Sequence, residues 1–522
     1  MTDGVARVRF EPDGAEAEVP VGTTLLDAAH IAGVGVPAPC GGVGRCGACR
    51  VTAEGALSPL TATEADVLGG AGVAAGKRLA CRARAEGDVR VTLGRVKARP
   101  RIEGAPVGAA HVHGKPLGCA VDLGTTTIAV AVVDLPDGPV AGGAAALNPQ
   151  ERWGADVMSR VSAAIGGATA DLRRAVLDRI DDLVSEAVAS AGAPDSALDA
   201  LVVCGNTAMC ALLLGRDVTP LGAAPYAGAD VSEARLTARD LGLSVAGDAE
   251  VYVPPGASAF IGPDVTAGLL ATHLAERQEP TLLIDMGTNA EIVLAAEGRL
   301  RAASAAAGPA LEGARIECGM RAETGAIERV DREGDTLVLG VIDDAAPVGI
   351  CGSGLVDLVA ALLEAGVLDA SGRLRDDTPD PLAARVVERD GQRAFIVDDG
   401  AGIVLTQKDV RETQLALAAV RTAVDLLLAE AGHVDPADVV IAGGFGRHLR
   451  ASSLVRLGVL PQAWESRVSF AGNTALMGAR MLLAGTEACE RAADLASAVE
   501  TLDLATHPAF QARFVSALTF PG

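Results

Sequence analysis

Four cysteines near the N-terminus constrain this chain more than any other feature: Cys40, Cys46 and Cys49 in PCGGVGRCGACRV, then Cys81 in LACRARAE. Three thiols on one glycine-rich loop with a fourth far downstream form a ligand set for a 2Fe–2S cluster held by four thiolates. Gly41, Gly42, Gly44 and Gly47 suit a loop that must adopt positive φ and bring backbone N–H groups close to sulfur. The alternative is zinc, which C-x₂-C also binds. A structural zinc site usually presents two such pairs, and this stretch has one, so the cluster fits better.

The gap from Cys40 to Cys46 holds five residues, whereas the plant-type loop has four; the spacing resembles adrenodoxin-like ferredoxins. The surrounding pattern predicts strands at 5–10 and 16–19, a helix capped by Thr23 or Thr24 and ended by Gly33, then, after the cysteine loop, a strand at 49–53, a helix at 64–68 and a strand at 88–93. That order is the α+β β-grasp of such ferredoxins, and it places the first domain at 1–95. Residues 96–117 are basic, proline-bearing and aperiodic, as expected of a linker; His111 and His113 lie there as a lone H-x-H, a weak metal signal.

The chain has 522 residues, of which 49% are hydrophobic and only 2% aromatic. That length accommodates several domains. No apolar leader precedes the cysteines and no long uncharged apolar run follows, so a cytoplasmic chain without membrane spans is expected. Residues 1–95 carry a net charge of −1, residues 96–118 carry +3, and the remainder carries −25. Acidity on that scale disfavours nucleic acid as a partner.

After the linker, AVDLGTTTIAVAVV (120–133) reads as a strand ending at Asp122, a turn through Gly124, Thr125 and Thr126, and a second strand. LLIDMGTNAEIVL (282–294) repeats the device with Asp285, Gly287, Thr288 and Asn289. VVIAGGFG (439–446) is a buried-looking strand running into Gly443, Gly444 and Gly446. Such turns offer backbone N–H groups to phosphate oxygens, the aspartates suit Mg²⁺, and a glycine turn admits a flat adenine ring. One D-x-G-T is an ordinary turn; two, followed in order by the glycine turn, point to ATP. Gly205-Asn206-Thr207-Ala208-Met209 is echoed by Gly472-Asn473-Thr474-Ala475-Leu476, which further suggests duplication. A helix from Thr406 to Gly432 opens with a Thr406/Asp409 capping box, and Gly352-Ser353-Gly354 opens another.

The second part resembles the actin, Hsc70 and sugar-kinase (ASKHA) superfamily: an α/β ATPase of two duplicated halves, here 118–275 and 276–485. Cluster motif and ATPase motifs together resemble the reductive activators of corrinoid-dependent methyltransferases. LNPQERWGADVMSR (147–160), CGNTAMCALLLG (204–215), PPGASAFIGPDVTAG (254–268), SAAAGPALEGA (304–314) and GICGSGLVD (349–357) carry the likeness. Residues 486–522 match nothing recognisable and are set apart as a tail of unknown role.

The resemblance implies an iron–sulfur, ATP-dependent activase that returns a corrinoid protein from inactive Co(II) to Co(I). It implies a 2Fe–2S cluster on Cys40, Cys46, Cys49 and Cys81, and Mg-ATP on Asp122, Gly124, Thr125, Thr126, Asp285, Gly287, Thr288, Asn289, Gly443, Gly444 and Gly446. An external electron donor is expected because the sequence carries no flavin or nicotinamide fingerprint, and the resemblance implies a homodimer. Asp285 is a catalytic candidate, as is Asp156, whose GAD turn equally reads as a helix cap. Cys204, Cys210, Cys318 and Cys351 are scattered, and tight packing is the plainer reading beside a second cluster shared between subunits. Two alternatives remain: an activator of another low-potential enzyme, or a nucleotide-regulated ferredoxin.

Overall fold

Inward Ala6, Val8 and Phe10 alternate with outward Arg7 and Arg9, making Val5–Glu11 (β1) a strand with one buried face. It turns back onto Ala15–Pro20 (β2). Thr24 caps the helix Leu25–Ile31, accepting from Asp27 N at 3.1 Å. Beyond the cysteine loop come Arg50–Leu57 (β3), the helix Ala62–Ala74, the short Lys77–Leu79 (β4) and Ala85–Thr92 (β5). Three-residue β4 is too short to leave a periodic signal in the sequence. The sheet runs β2-β1-β5-β3-β4, with β1 and β5 parallel: the expected β-grasp. Glu64 is completely buried yet holds its charge, paired with Arg78 at 3.0 Å and accepting from Leu79 N at 3.2 Å. Burial pushes its pKa up; the hydrogen bonds from Arg78, Thr61 and Leu79 prevail and hold it below the usual carboxylate range.

The computed structural model describes every residue except 1–3, 12–13, 33, 35, 37–41, 43, 45–46, 48, 94–114, 137, 195–197, 225, 227, 246, 314, 390, 445–448 and 522. Cys40, Gly41, Cys46, His111, His113 and Gly446 therefore lie outside the described residues. The chain divides into two compact units, residues 1–98 with 149–166, and residues 99–148 with 167–522. The excursion 149–166, expected in the first ATPase half, thus groups with the β-grasp unit. No helix among the described residues is long and apolar enough to cross a membrane.

The second unit is built on two six-stranded sheets. Leu117–Leu123 (β6), Thr127–Asp134 (β7) and Val140–Leu147 (β8) form an antiparallel run, to which Leu198–Gly205 (β9) adds parallel to β6; Ala234–Thr237 (β10) and Glu250–Val253 (β11) complete the sheet. Thr281–Met286 (β12), Ala290–Ala296 (β13) and Arg299–Ala305 (β14) repeat the antiparallel run. Two small sheets follow, one of Ala326–Glu333 (β15), Thr336–Val341 (β16) and Gly349–Ile350 (β17), the other of Val386–Arg389 (β18), Gln392–Asp398 (β19) and Ile403–Thr406 (β20). Asp438–Ala442 (β21) and Val468–Gly472 (β22) return to the main sheet, parallel to β12, and Val499–Leu502 (β23) closes its far edge against β14. The orders β8-β7-β6-β9-β11 and β14-β13-β12-β21-β22 match strand for strand. That is the duplicated α/β plan expected of an actin-like ATPase.

Two expectations change. The GNTA echo is not the trace of duplication, because the first copy follows β9, the fourth strand of its sheet, while the second follows β22, the fifth. The copies share a local role instead, since each asparagine caps a helix. The segment 486–522 is part of the second half. The helix Thr486–Ala498 buries Cys489, Ala492, Leu495 and Ala496, β23 joins the sheet, and Gln414 of the helix Gln407–Glu430 donates to Leu518 O at 2.7 Å. The predicted capping box stands, with Asp409 N donating to Thr406 Oγ1 at 3.2 Å and Thr406 N to Asp409 at 2.8 Å.

Candidate functional site

In the first unit, Cys49 follows the loop at the entrance to β3, and Cys81 follows β4. Both are buried, and their sulfurs stand 3.3 Å apart, beyond the ~2.05 Å of a disulfide bond. Two thiolates about 2.3 Å from one metal at a tetrahedral angle stand about 3.8 Å apart, so the pair approaches the spacing of co-ligands. Gly42, Gly44 and Gly47 all take positive φ, at 78°, 82° and 73°, as a loop wrapping a cluster needs. A Cβ on Gly42 would lie 3.7 Å from Cys81 Cβ, which places Gly42 against that ligand. The described half of the ligand set fits a cluster.

In the second unit, Asp122 and Asp285 are the penultimate residues of β6 and β12, and the hairpin turns that follow carry Thr125, Thr126 and Thr288. Gly287 N donates to Asn289 O at 2.9 Å, closing the second turn, and Asn148 Nδ2 holds Gly124 O at 2.9 Å in the first. Thr126 Oγ1 and Thr288 Oγ1 stand 3.3 Å apart, so the two turns meet face to face. Gly443 arrives from β21 with φ of +103°, and a Cβ there would fall 2.2 Å from Met286 O and 3.0 Å from Asp285 Oδ1. Only glycine fits. The site therefore gathers Asp122, Gly124, Thr125, Thr126, Asp285, Gly287, Thr288, Asn289, Gly443 and Gly444 around one locus.

Several further residues at this locus lie outside the sequence motifs. Asn473 caps the helix Thr474–Leu482, accepting from Leu476 N at 2.8 Å, and its Nδ2 donates to Asp122 Oδ2 at 2.7 Å. Asn206 caps the helix Thr207–Leu214, accepting from Met209 N at 3.0 Å, and donates to Thr125 Oγ1 at 2.9 Å. Thr474 Oγ1 reaches Asp285 at 3.4 Å. The GNTA echo was the available signal for these three. Asp264 lies in the first turn of the helix Pro263–Thr272, which crosses Thr474–Leu482 so closely that a Cβ on Gly478 would fall 2.0 Å from Ala267 O. Glu291 sits opposite Asp285 in the β12–β13 ladder, and Glu312 accepts from Thr288 Oγ1 at 2.6 Å. Nothing in the spacing of these acids announced them.

The carboxylates repel one another in a poorly solvated place. Burial raises Asp122 to about 6. Burial and the charge of Asp122 raise Asp285 to about 7, and burial with Asp285 and Asp122 does the same to Asp264. Glu291 is pushed well up by burial, then by Asp264 and Asp285. Such a cluster favours a divalent cation. Among the described residues no three His, Cys, Asp or Glu side chains converge as a metal cage.

Asp156 lies in the first unit and caps the helix Val157–Ala163: its Oδ1 accepts from Ser159 N at 2.8 Å and its Oδ2 from Ser159 Oγ at 3.0 Å. Cys204, Cys210, Cys318 and Cys351 are buried. Cys210 Sγ donates to Gly205 O at 3.5 Å and Cys318 Sγ accepts from Val404 N at 3.4 Å, while burial pushes the Cys204, Cys210 and Cys351 thiols up. These are packing cysteines.

Comparison with known proteins agrees with both constellations. Residues 8–86 match the 2Fe–2S iron–sulfur cluster binding domain, residues 117–277 the RACo middle region, and residues 279–522 the C-terminal domain of RACo, the ASKHA domain. The chain is 34% identical over 411 residues to the corrinoid activation enzyme RamQ of Eubacterium limosum, covering 76% of this chain and 69% of that one. It is 30% identical over 363 residues to the Co(II) methylated amine-specific corrinoid protein reductase of Methanosarcina barkeri, covering 62% and 63%. A solved reductive activator for a corrinoid, iron–sulfur protein superposes with a TM-score of 0.73 at 27% identity, over 99% of this chain and 98% of the other. Cysteine loop, duplicated sheets and paired Asp-bearing turns thus have one common explanation: the chain belongs to the RACo family, the reductive activators of corrinoid proteins.

Proposed function

We propose that this protein transfers one electron from a 2Fe–2S cluster to the inactive Co(II) form of a corrinoid protein, restoring Co(I) for methyl transfer, and couples that step to ATP hydrolysis. The observation that carries the reading is the joining of two sites in one chain: a thiol pair under a glycine loop, and two Asp-bearing turns that meet at Thr126 and Thr288. The cluster, when bound, supplies a one-electron donor. Cys49 and Cys81 hold it on the described side, and Cys40 and Cys46 are assigned the remaining two positions.

Coupling has an energetic reason. Moving one electron uphill by 59 mV costs about 1.4 kcal/mol, so a gap of roughly 200 mV costs on the order of 5 kcal/mol. A nucleotide cycle has to make up that difference. In it, Asp122 and Asp285 take Mg²⁺ with the ATP phosphates, the two hairpin turns present backbone N–H groups to phosphate oxygens, and Gly443 with Gly444 leaves room for the adenosine. Asp122 is steered by Asn473, and Asp285 by Thr474. A separate cytoplasmic reductase or ferredoxin re-reduces the cluster, and the active form is a homodimer.

The test is a pair of variants assayed with a Co(II) corrinoid protein, a chemical reductant and Mg-ATP. Cys81→Ser abolishes Co(I) formation while ATP hydrolysis survives; Asp285→Ala abolishes hydrolysis while the cluster spectrum survives. Co(I) formation that persists in Asp285→Ala contradicts coupling.

A further inference from the structure

Thr125 and Thr126 are neighbours in one turn, but the structure gives their hydroxyls opposite polarity. Thr125 Oγ1 accepts from Asn206 Nδ2 at 2.9 Å, so its proton is available to donate into the site. At the other turn, the Thr288 hydroxyl donates to Glu312 Oε1 at 2.6 Å, the short separation of a charge-assisted bond. A hydroxyl has one proton. Thr288 Oγ1 must therefore accept across the 3.3 Å to Thr126, and Thr126 must donate. Both protons are directed toward Glu312, which leaves Thr126 Oγ1 facing the site with lone pairs only.

We propose that Glu312 is a positioning residue for ATP hydrolysis: acting through Thr288, it fixes the hydroxyl direction of Thr126, so that Thr126 accepts from the attacking water or faces the cation instead of donating to phosphate. This rests on the nucleotide reading of the site given above. The backbone holds Glu312 in place for this role. It ends the short turn Pro309–Glu312, bracketed by Gly308 and Gly313 with φ of 76° each, and Gly308 N donates to Thr288 O at 2.7 Å. That carbonyl bond ties the Glu312 turn to the Thr288 turn independently of the side chains. Glu312 Oε2 is enclosed and has no hydrogen-bond partner among the described residues. A buried acceptor left in that state is costly; the side chain is placed by Thr288, at the expense of its own second oxygen. In phosphoryl transfer most of the catalysis is positioning and electrostatics, so hydroxyl direction is where such a residue acts.

The experiment compares Glu312→Ala, Glu312→Gln, Thr288→Val and Thr288→Ser in the full-length protein, measuring kcat and KM for ATP and, by calorimetry, the Kd for Mg-ADP. Glutamine keeps an oxygen that accepts from Thr288, and serine keeps the hydroxyl. Glu312→Ala and Thr288→Val lower kcat tenfold or more with KM and Kd within about threefold, while Glu312→Gln and Thr288→Ser stay within about threefold of wild type. A Glu312→Gln variant as slow as Glu312→Ala overturns the proposal, since charge and not hydrogen-bond direction would then matter. Wild-type kcat in Glu312→Ala overturns it as well. If Glu312→Ala does not fold, the two threonine variants decide by the same criterion. A wild-type protein that binds no Mg-ADP and hydrolyses no ATP overturns the nucleotide reading itself.

Discussion

Replacing Asn473 by serine separates two jobs that one side chain performs. Its Oδ1 caps the helix Thr474–Leu482 at 2.8 Å from Leu476 N, and its Nδ2 holds Asp122 at 2.7 Å. Serine caps a helix about as well as asparagine, whereas alanine costs about 1 kcal/mol. Serine is too short to replace the amide on Asp122, and a hydrogen bond to a charged group is worth about 1.5–3 kcal/mol. Asn473→Ser should therefore melt near wild type, with a loss in kcat/KM for ATP on the order of 10- to 100-fold, each factor of ten being about 1.4 kcal/mol. Asn473→Ala should lose the cap as well, lowering stability by about 1 kcal/mol beyond the serine variant. Thermal melts and steady-state ATP hydrolysis measure the two effects separately. Serine turnover within twofold of wild type would refute the reasoning, because Asn473 would then be a cap and nothing more.

Other outcomes follow from the same geometry. Burial and then Asp122 raise Asp285 to about 7, so the folded state holds its proton more tightly than the unfolded chain. The stability this brings is complete below the ordinary carboxylate range and lost as pH rises through about 7; Asp285→Asn should thus be more stable than wild type at pH 8 by an amount on the order of a few kcal/mol, yet inactive. A lower melting temperature for Asp285→Asn at pH 8 counts against the buried-charge argument. Glu64 is the opposite case, its pKa held low by Arg78: its contribution is present at neutral pH and fades as pH falls through the carboxylate range. Arg78→Ala should cost about 3–5 kcal/mol by leaving the buried carboxylate unpaired, seen as a melting shift in the β-grasp unit. Asp156→Asn preserves the helix cap and should leave ATP turnover unchanged; a tenfold fall would give Asp156 a role on the attacking water.

Much of the fold was legible because its elements announce themselves locally. The alternation in β1, the Thr406–Asp409 capping box and the two D-x-G-T hairpins need only short-range patterns. What the sequence concealed depends on long-range contact. Asn473 and Asp122 are separated by most of the chain, and the packing of Thr474–Leu482 on Pro263–Thr272 and on β6 brings that capping asparagine to the first turn. Asp264, Glu291 and Glu312 look like ordinary surface acids until the sheets place them beside Asp285 and Thr288. The C-terminal segment misled for a related reason: β23 is four residues long and is held by pairing with β14, some two hundred residues earlier, and by packing of Val499 and Leu502 on the core. The GNTA repeat misled in the other direction, since helix capping imposed similar residues at topologically different positions.

The central claim is that ATP turnover drives electron transfer to cobalt. The most direct measurement mixes the reduced protein with a Co(II) corrinoid protein and follows Co(I) absorbance with Mg-ATP present, withheld, or replaced by a non-hydrolysable analogue. The account predicts Co(I) with Mg-ATP alone. Equal Co(I) in all three mixtures would contradict it, leaving a ferredoxin whose nucleotide site does not serve the reduction.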